Sequence, residues 1–133
     1  MPHYLLDTNA LIALLRGGAG PVVRRMREHD PAEIAISASA MHELYYGAYR
    51  SERVEHNLHL VDGLLLEVLD FDRDDAREAG AIRSELAARG TPIGPFDVLM
   101  AGQARGRGLT LVTANAGEFL RVEGLAVETW NTP

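Results

Sequence analysis

Five short apolar runs, separated by segments of helical spacing, constrain this chain more than any other feature. The runs fall at residues 3–6, 34–36, 67–69, 109–112 and 126–128. Between them apolar side chains recur at intervals of three and four. Leu11, Ile12, Leu14 and Leu15 mark a helix over residues 8–16, stopped by Gly17 and Gly18. Pro21 stands where a helix starts, and residues 22–29 follow it. Residues 39–49 read as a helix, and Val54, Leu58, Val61 and Leu65 keep helical spacing in the next segment. Asp74 or Asp75 is placed to cap a helix with Ala76, Ala79, Ile82, Leu86 and Ala87 on its inner face. Residues 91–95 break the chain before a helix over 96–105. Strands that alternate with helices need crossover connections. Those give a mostly parallel sheet covered by helices on both faces. Ligands of such sheets bind beyond the carboxyl ends of the strands. Asp7 follows the first run and Asn115 follows the fourth, so both are expected on that edge.

No repeat, linker or low-complexity stretch divides the 133 residues, so one domain over 1–133 is expected. No apolar run approaches the roughly 20 residues needed to span a bilayer. The opening MPHYLLDTNALIALL lacks a basic region, and Asp7 interrupts it, so it does not read as a secretory signal. The chain has no cysteine, which excludes disulfides, zinc–thiolate sites and thiol nucleophiles and points to the reducing cytoplasm. The net charge of −6 runs against the basic excess usual in nucleic-acid binders. All 13 basic residues are arginine, the side chain that grips phosphate with a two-point fork. GC-rich codon usage accounts for most of that bias. The lack of lysine still removes every mechanism that needs an amine. For gripping phosphate the candidates are Arg16, Arg24, Arg25 and Arg27 early in the chain, and Arg83, Arg89, Arg105 and Arg107 later.

The chemistry-bearing candidates are acids. Asp7, in LLDTN, is equally suited to capping the helix that follows it. Glu43, in SASAMHELYYGA, borders the apolar face, with Ala40 and Gly47 one turn away; its plain alternative is a rim carboxylate paired with an arginine. A capping box does not explain it, because the residue three after Ser39 is His42. Asp97 shares a helix face with Ala101 and Ala104, and an acid in a first turn is also favoured by the macrodipole. Asn115 and Glu118 lie three apart, as a capping box would place them, with Thr113 just before. Brought together unpaired, such acids would repel one another strongly. A divalent cation relieves this, and oxygen-only ligation suits Mg²⁺ or Mn²⁺ rather than zinc. Such ions bind phosphate and activate water for in-line displacement.

LLDTNALIALL, ISASAMHELYYGA, TPIGPFDVLMAGQARGRGL and LVTANAGEF follow one another in the order and spacing of the PIN-domain nucleases. The pattern, with the ending GLAVETW, most resembles the VapC-type toxins of VapBC toxin–antitoxin modules. The resemblance covers essentially the whole chain. It implies a three-layer α/β/α sandwich around a parallel sheet of about five strands, a Mg²⁺ or Mn²⁺ site, and cleavage of structured RNA such as tRNA. Its implied partners are a VapB-type antitoxin and a second copy of the chain, with no membrane. Asp7, Glu43 and Asp97 match the family's three acids. Asn115 falls where many members carry a fourth acid, and a neutral amide there weakens the hold on a second metal. Thr113 matches a hydroxyl near the metal, and Glu118 an outer carboxylate.

Rival readings are weaker. A phosphoacceptor domain needs a lysine, and a DxD phosphohydrolase needs an acid where Asn9 stands. A histidine nuclease would use His42, His56 or His59. His42 is expected to point about 100° away from Glu43 on a helix. His56 and His59 read as surface residues, and GGAG at 17–20 lacks the lysine of a phosphate loop. A catalytically weak PIN-like module that only binds partners would not need the three acids. Tyr45, Tyr46 and Tyr49 suit base stacking, or packing in a core or subunit interface.

Overall fold

The computed structural model describes residues 2–17 and 20–130. Its strands are β1 (Tyr4–Leu6), β2 (Ile34–Ser37), β3 (Glu67–Leu69), β4 (Thr110–Val112) and β5 (Val127–Glu128). They form a five-stranded sheet in the order β3-β2-β1-β4-β5, with every pairing parallel. The helices are α1 (Thr8–Leu15), α2 (Pro21–Arg27), α3 (Ala38–Arg50), α4 (Val54–Asp62), α5 (Arg73–Ala88), α6 (Pro95–Arg107) and α7 (Ala116–Phe119). They flank the sheet and complete the expected α/β/α sandwich. Central strands of such a sheet are buried on both faces and read as continuous apolar runs. Leu5, Leu6, Ile34, Ala35, Ile36, Leu111 and Val112 are accordingly almost wholly buried.

The strand order places the site. From β1 the chain winds outward through β2 and β3, then returns to the other side of β1 for β4 and β5. The carboxyl ends of β1 and β4 therefore flank the point where the order reverses, the position at which such sheets bind ligands. Leu6 pairs with Val112 there, and the Asp7 amide donates to the Val112 carbonyl at 2.9 Å.

Several local expectations are corrected. Helix α5 is capped by Asp72, not by Asp74 or Asp75; Asp75 supplies the reciprocal half of a capping box. Its inner face is Asp75, Ala79, Ile82 and Leu86, while Ala76 and Ala87 are exposed. The reason is the buried neighbour of Asp75: its carboxylate takes hydrogen bonds from Gln103 and Arg107 on α6, which fixes the rotation of the helix. Helix α4 ends at Asp62, and Leu65 stands 95% exposed beyond it. Ser37 rather than Ser39 caps α3. Helix α1 stops at Gly17, whose φ of +71° suits glycine; Gly18 lies outside the described residues. No helix among the described residues is long and apolar enough to cross a membrane.

Candidate active site

Asp7 leaves β1 and enters α1 in one step. Its side chain accepts the Ala10 amide at 2.9 Å, so it does cap the helix. It also lines a cavity of about 620 Å³, together with Thr8, Asn9, Ile12, His42, Glu43, Tyr46, Phe96, Asp97 and Met100. The two expected roles are held by one residue that is only 4% exposed. Burial raises the Asp7 pKa; the Thr113 hydroxyl and the amides of Ala10 and Asn9 favour its anion, and Glu43 opposes it.

Thr113 is the matching residue at the end of β4 and is 1% exposed. Its Oγ1 accepts the Asn115 amide at 3.0 Å, which sets the start of the following loop. Glu43 reaches the cavity from α3, with Ala40 and Leu44 buried beside it. Asp97 lies in the first turn of α6, where the helix dipole favours an anion. Its pKa is nevertheless raised to about 6, first by burial and then by the carboxylates of Glu118, Glu43 and Asp7. Gly94, the N-cap of α6, makes room for it: a Cβ there would stand 3.0 Å from Asp97 Oδ2.

The structure therefore gathers Asp7, Glu43 and Asp97 around one cavity, with Glu118 against Asp97 and Thr113 against Asp7. Asn115 is exposed, does not line the cavity, and makes no side-chain cap to α7, so the capping box with Glu118 does not form. His42 lines the same cavity as Glu43, contrary to the expectation from helical angle alone. The cavity is wide enough that residues 100° apart on α3 both border it. Phe96 and Gly94 were not singled out from sequence. The available signals were that Phe96 adjoins Asp97 and that Gly94 lies three residues before it.

Among the described residues none of the four acids forms an ion pair, and no arginine lines the cavity. Nor do three acidic or histidine side chains there close around one point as a preformed metal cage. Mutually repelling oxygen donors along an open wall suit Mg²⁺ or Mn²⁺, which keep several waters and take one or two carboxylates plus substrate phosphate. Elsewhere several arginines have structural partners. Arg105 binds Glu78 at 2.6 Å and Glu85 at 3.1 Å, Arg107 binds Asp75 at 2.8 Å, and Arg25 lies between Glu28 and Glu128.

The chain matches the sequence model described as PIN domain over residues 4–125. It is 41% identical to the "tRNA(fMet)-specific endonuclease VapC" of Shigella flexneri, covering 98% of this chain and 100% of that one. With the "Ribonuclease VapC2" of Haemophilus influenzae it shares 36% identity over 98% and 99% of the two chains. Among solved structures it resembles a chain of DNA-bound VapBC from Salmonella typhimurium, with a TM-score of 0.92, 41% identity and coverage of 98% and 99%.

Proposed function

Because this chain belongs to the PIN-domain family, we propose that it is a divalent-metal-dependent endoribonuclease, the toxin of a type II toxin–antitoxin pair. The observation that carries the reading is the convergence of Asp7, Glu43 and Asp97 on one cavity at the sheet's reversal point, with no arginine among its lining residues. End-to-end likeness to a tRNA(fMet) endonuclease supports tRNA as the substrate class. Solved VapBC assemblies support a VapB-type antitoxin as partner. A second copy of the chain, a single PIN domain spanning 1–133, and residence in the cytoplasm complete the proposal.

Asp7, Glu43 and Asp97 would hold the cation. When bound, Mg²⁺ or Mn²⁺ supplies positive charge for the phosphate and activates water for in-line displacement. The Thr113 hydroxyl and the Ala10 and Asn9 amides favour the Asp7 carboxylate and partly offset the burial that raises its pKa. Glu118 borders Asp97 and strengthens the negative field. Neutral Asn115 adds no charge, which favours one tightly held cation over two.

The test is cleavage of a tRNA(fMet) transcript in Mg²⁺, in Mn²⁺ and in excess EDTA, with analysis of the product ends. Loss of activity in EDTA and products bearing 5′-phosphate and 3′-hydroxyl are expected. Full activity in EDTA with 2′,3′-cyclic phosphate ends would instead assign the chemistry to the RNA's own 2′-hydroxyl, with His42 as its base.

A further inference from the structure

Each acid contributed by α3 and α6 has an aromatic neighbour in sequence. His42 precedes Glu43, and Phe96 precedes Asp97. Both rings line the acid cavity, with their centroids 5.0 Å apart and their planes tilted by 55°. Phe96 is 44% exposed, and Tyr46, one turn beyond His42 on α3, is 62% exposed and lines the same cavity. An apolar ring left this open contributes little to the core, which leaves it free to bind something else.

The cavity poses a problem for a site that receives RNA. Its walls carry carboxylates, and among the described residues no arginine lines it. Backbone phosphates are repelled unless the cation meets them. A nucleobase is the part of RNA that such walls accept without repulsion, because it is uncharged and presents a π-face. The volume of about 620 Å³ lies within the range of pockets that enclose small organic groups, roughly 300–1,000 Å³.

Building on the ribonuclease reading, we propose that His42 and Phe96, extended by Tyr46, form a stacking platform for the base beside the scissile phosphate. The platform sets which phosphate is presented to the acids. It is a positioning and specificity device, and the rings take no part in proton transfer.

The experiment uses the full chain, Mg²⁺ and two full-length tRNA(fMet) molecules, one unmodified and one ligated to carry an abasic nucleotide beside the mapped cut. Stacking on one aromatic corresponds to roughly 10- to 100-fold in rate or affinity. Wild type should lose that factor on the abasic RNA. Phe96→Leu keeps the apolar volume without the ring. It should lose the same factor on unmodified RNA, show no further loss on abasic RNA, and leave the salt dependence of binding unchanged. His42→Ala should behave alike, and it serves if Phe96→Leu melts early. Equal wild-type rates on the two RNAs would overturn the platform alone. Losses from Phe96→Leu and from the abasic site that multiply would also overturn it. A wild type that leaves unmodified tRNA(fMet) intact in both Mg²⁺ and Mn²⁺ would overturn the substrate reading on which the platform rests.

Discussion

Asp97 is the residue whose protonation most directly sets the state of the cavity. Its carboxyl titrates at about 6 in the fold against 3.8 unfolded. The fold therefore prefers the protonated form. That stabilisation is fully present below about pH 3.8 and is lost as the pH rises through about 6. Metal-free protein should lose stability between pH 4 and pH 7, by on the order of 1–2 kcal/mol once solvent screening of this half-buried group is allowed for. Asp97→Asn should flatten that dependence and be the more stable protein at pH 7.5, while abolishing cleavage. Denaturant titrations in EDTA across this range would decide it, and an unchanged pH dependence in the variant would sink the assignment. Asp7 offers a separation of its two roles. Asparagine caps helices as well as aspartate does, so Asp7→Asn should abolish cleavage at little cost in stability; Asp7→Ala should lose cleavage and about 1 kcal/mol besides. Glu43→Gln should be inactive and folded, and Asn115→Ala milder, consistent with its exposed position. At this scale the three cavity acids were readable, because an acid beside small or apolar neighbours needs a reason. The surroundings of Asn115 were not, since nothing in VTANAGEF reveals that Asn115 stands exposed and outside the cavity lining.

Asp97 is carried by α6, and α6 packs closely against α5. The two helices pack backbone to backbone at Gly102: a Cβ there would lie 2.6 Å from the Ala79 N, Cα and Cβ atoms. Helix propensity alone would favour alanine at position 102 by up to about 1 kcal/mol. The close approach outweighs this, and Gly102→Ala should destabilise the protein by roughly 1–3 kcal/mol through overpacking. Gly80, on the exposed side of α5, meets nothing within 4 Å, and Gly80→Ala should stabilise by about 0.5–1 kcal/mol. Thermal melts of the pair would test the contrast; a stabilising Gly102→Ala would mean that the helices can part without cost. Element boundaries were less readable than element types. Apolar spacing located all five strands and the six longer helices, and missed the four-residue α7 between β4 and β5. It did not choose among Asp72, Asp74 and Asp75 as a cap, because that choice follows from the burial of Asp75 against Gln103 and Arg107. Nor did it exclude Leu65 from α4, since helical spacing persists past the point where the chain has turned toward β3.

A chain of net charge −6 that grips RNA must do so through a local basic surface, and the fold narrows where that surface lies. Arg105 and Arg107 tie α6 to α5, and Arg25 is held by Glu28 and Glu128 over the ring of Trp130. Removing these guanidinium groups should lower stability before it touches binding. Arg16 is placed differently. It is exposed at the end of α1 and lines a groove between α1, α3 and α4 that shares Ile12 and Glu43 with the acid cavity. A phosphate a few nucleotides from the cut would pass it. Composition could not single it out, because sequence offers eight plausible arginines and only the tertiary structure shows which are engaged elsewhere. Arg16→Ala should weaken tRNA binding measured in EDTA, where the RNA stays uncut, and should reduce the slope of log affinity against log salt by about 1. Arg105→Ala should leave that slope unchanged and lower the melting temperature. The two readouts separate a phosphate contact from a structural ion pair. An unchanged slope in Arg16→Ala would move the RNA path away from the α1–α3–α4 groove.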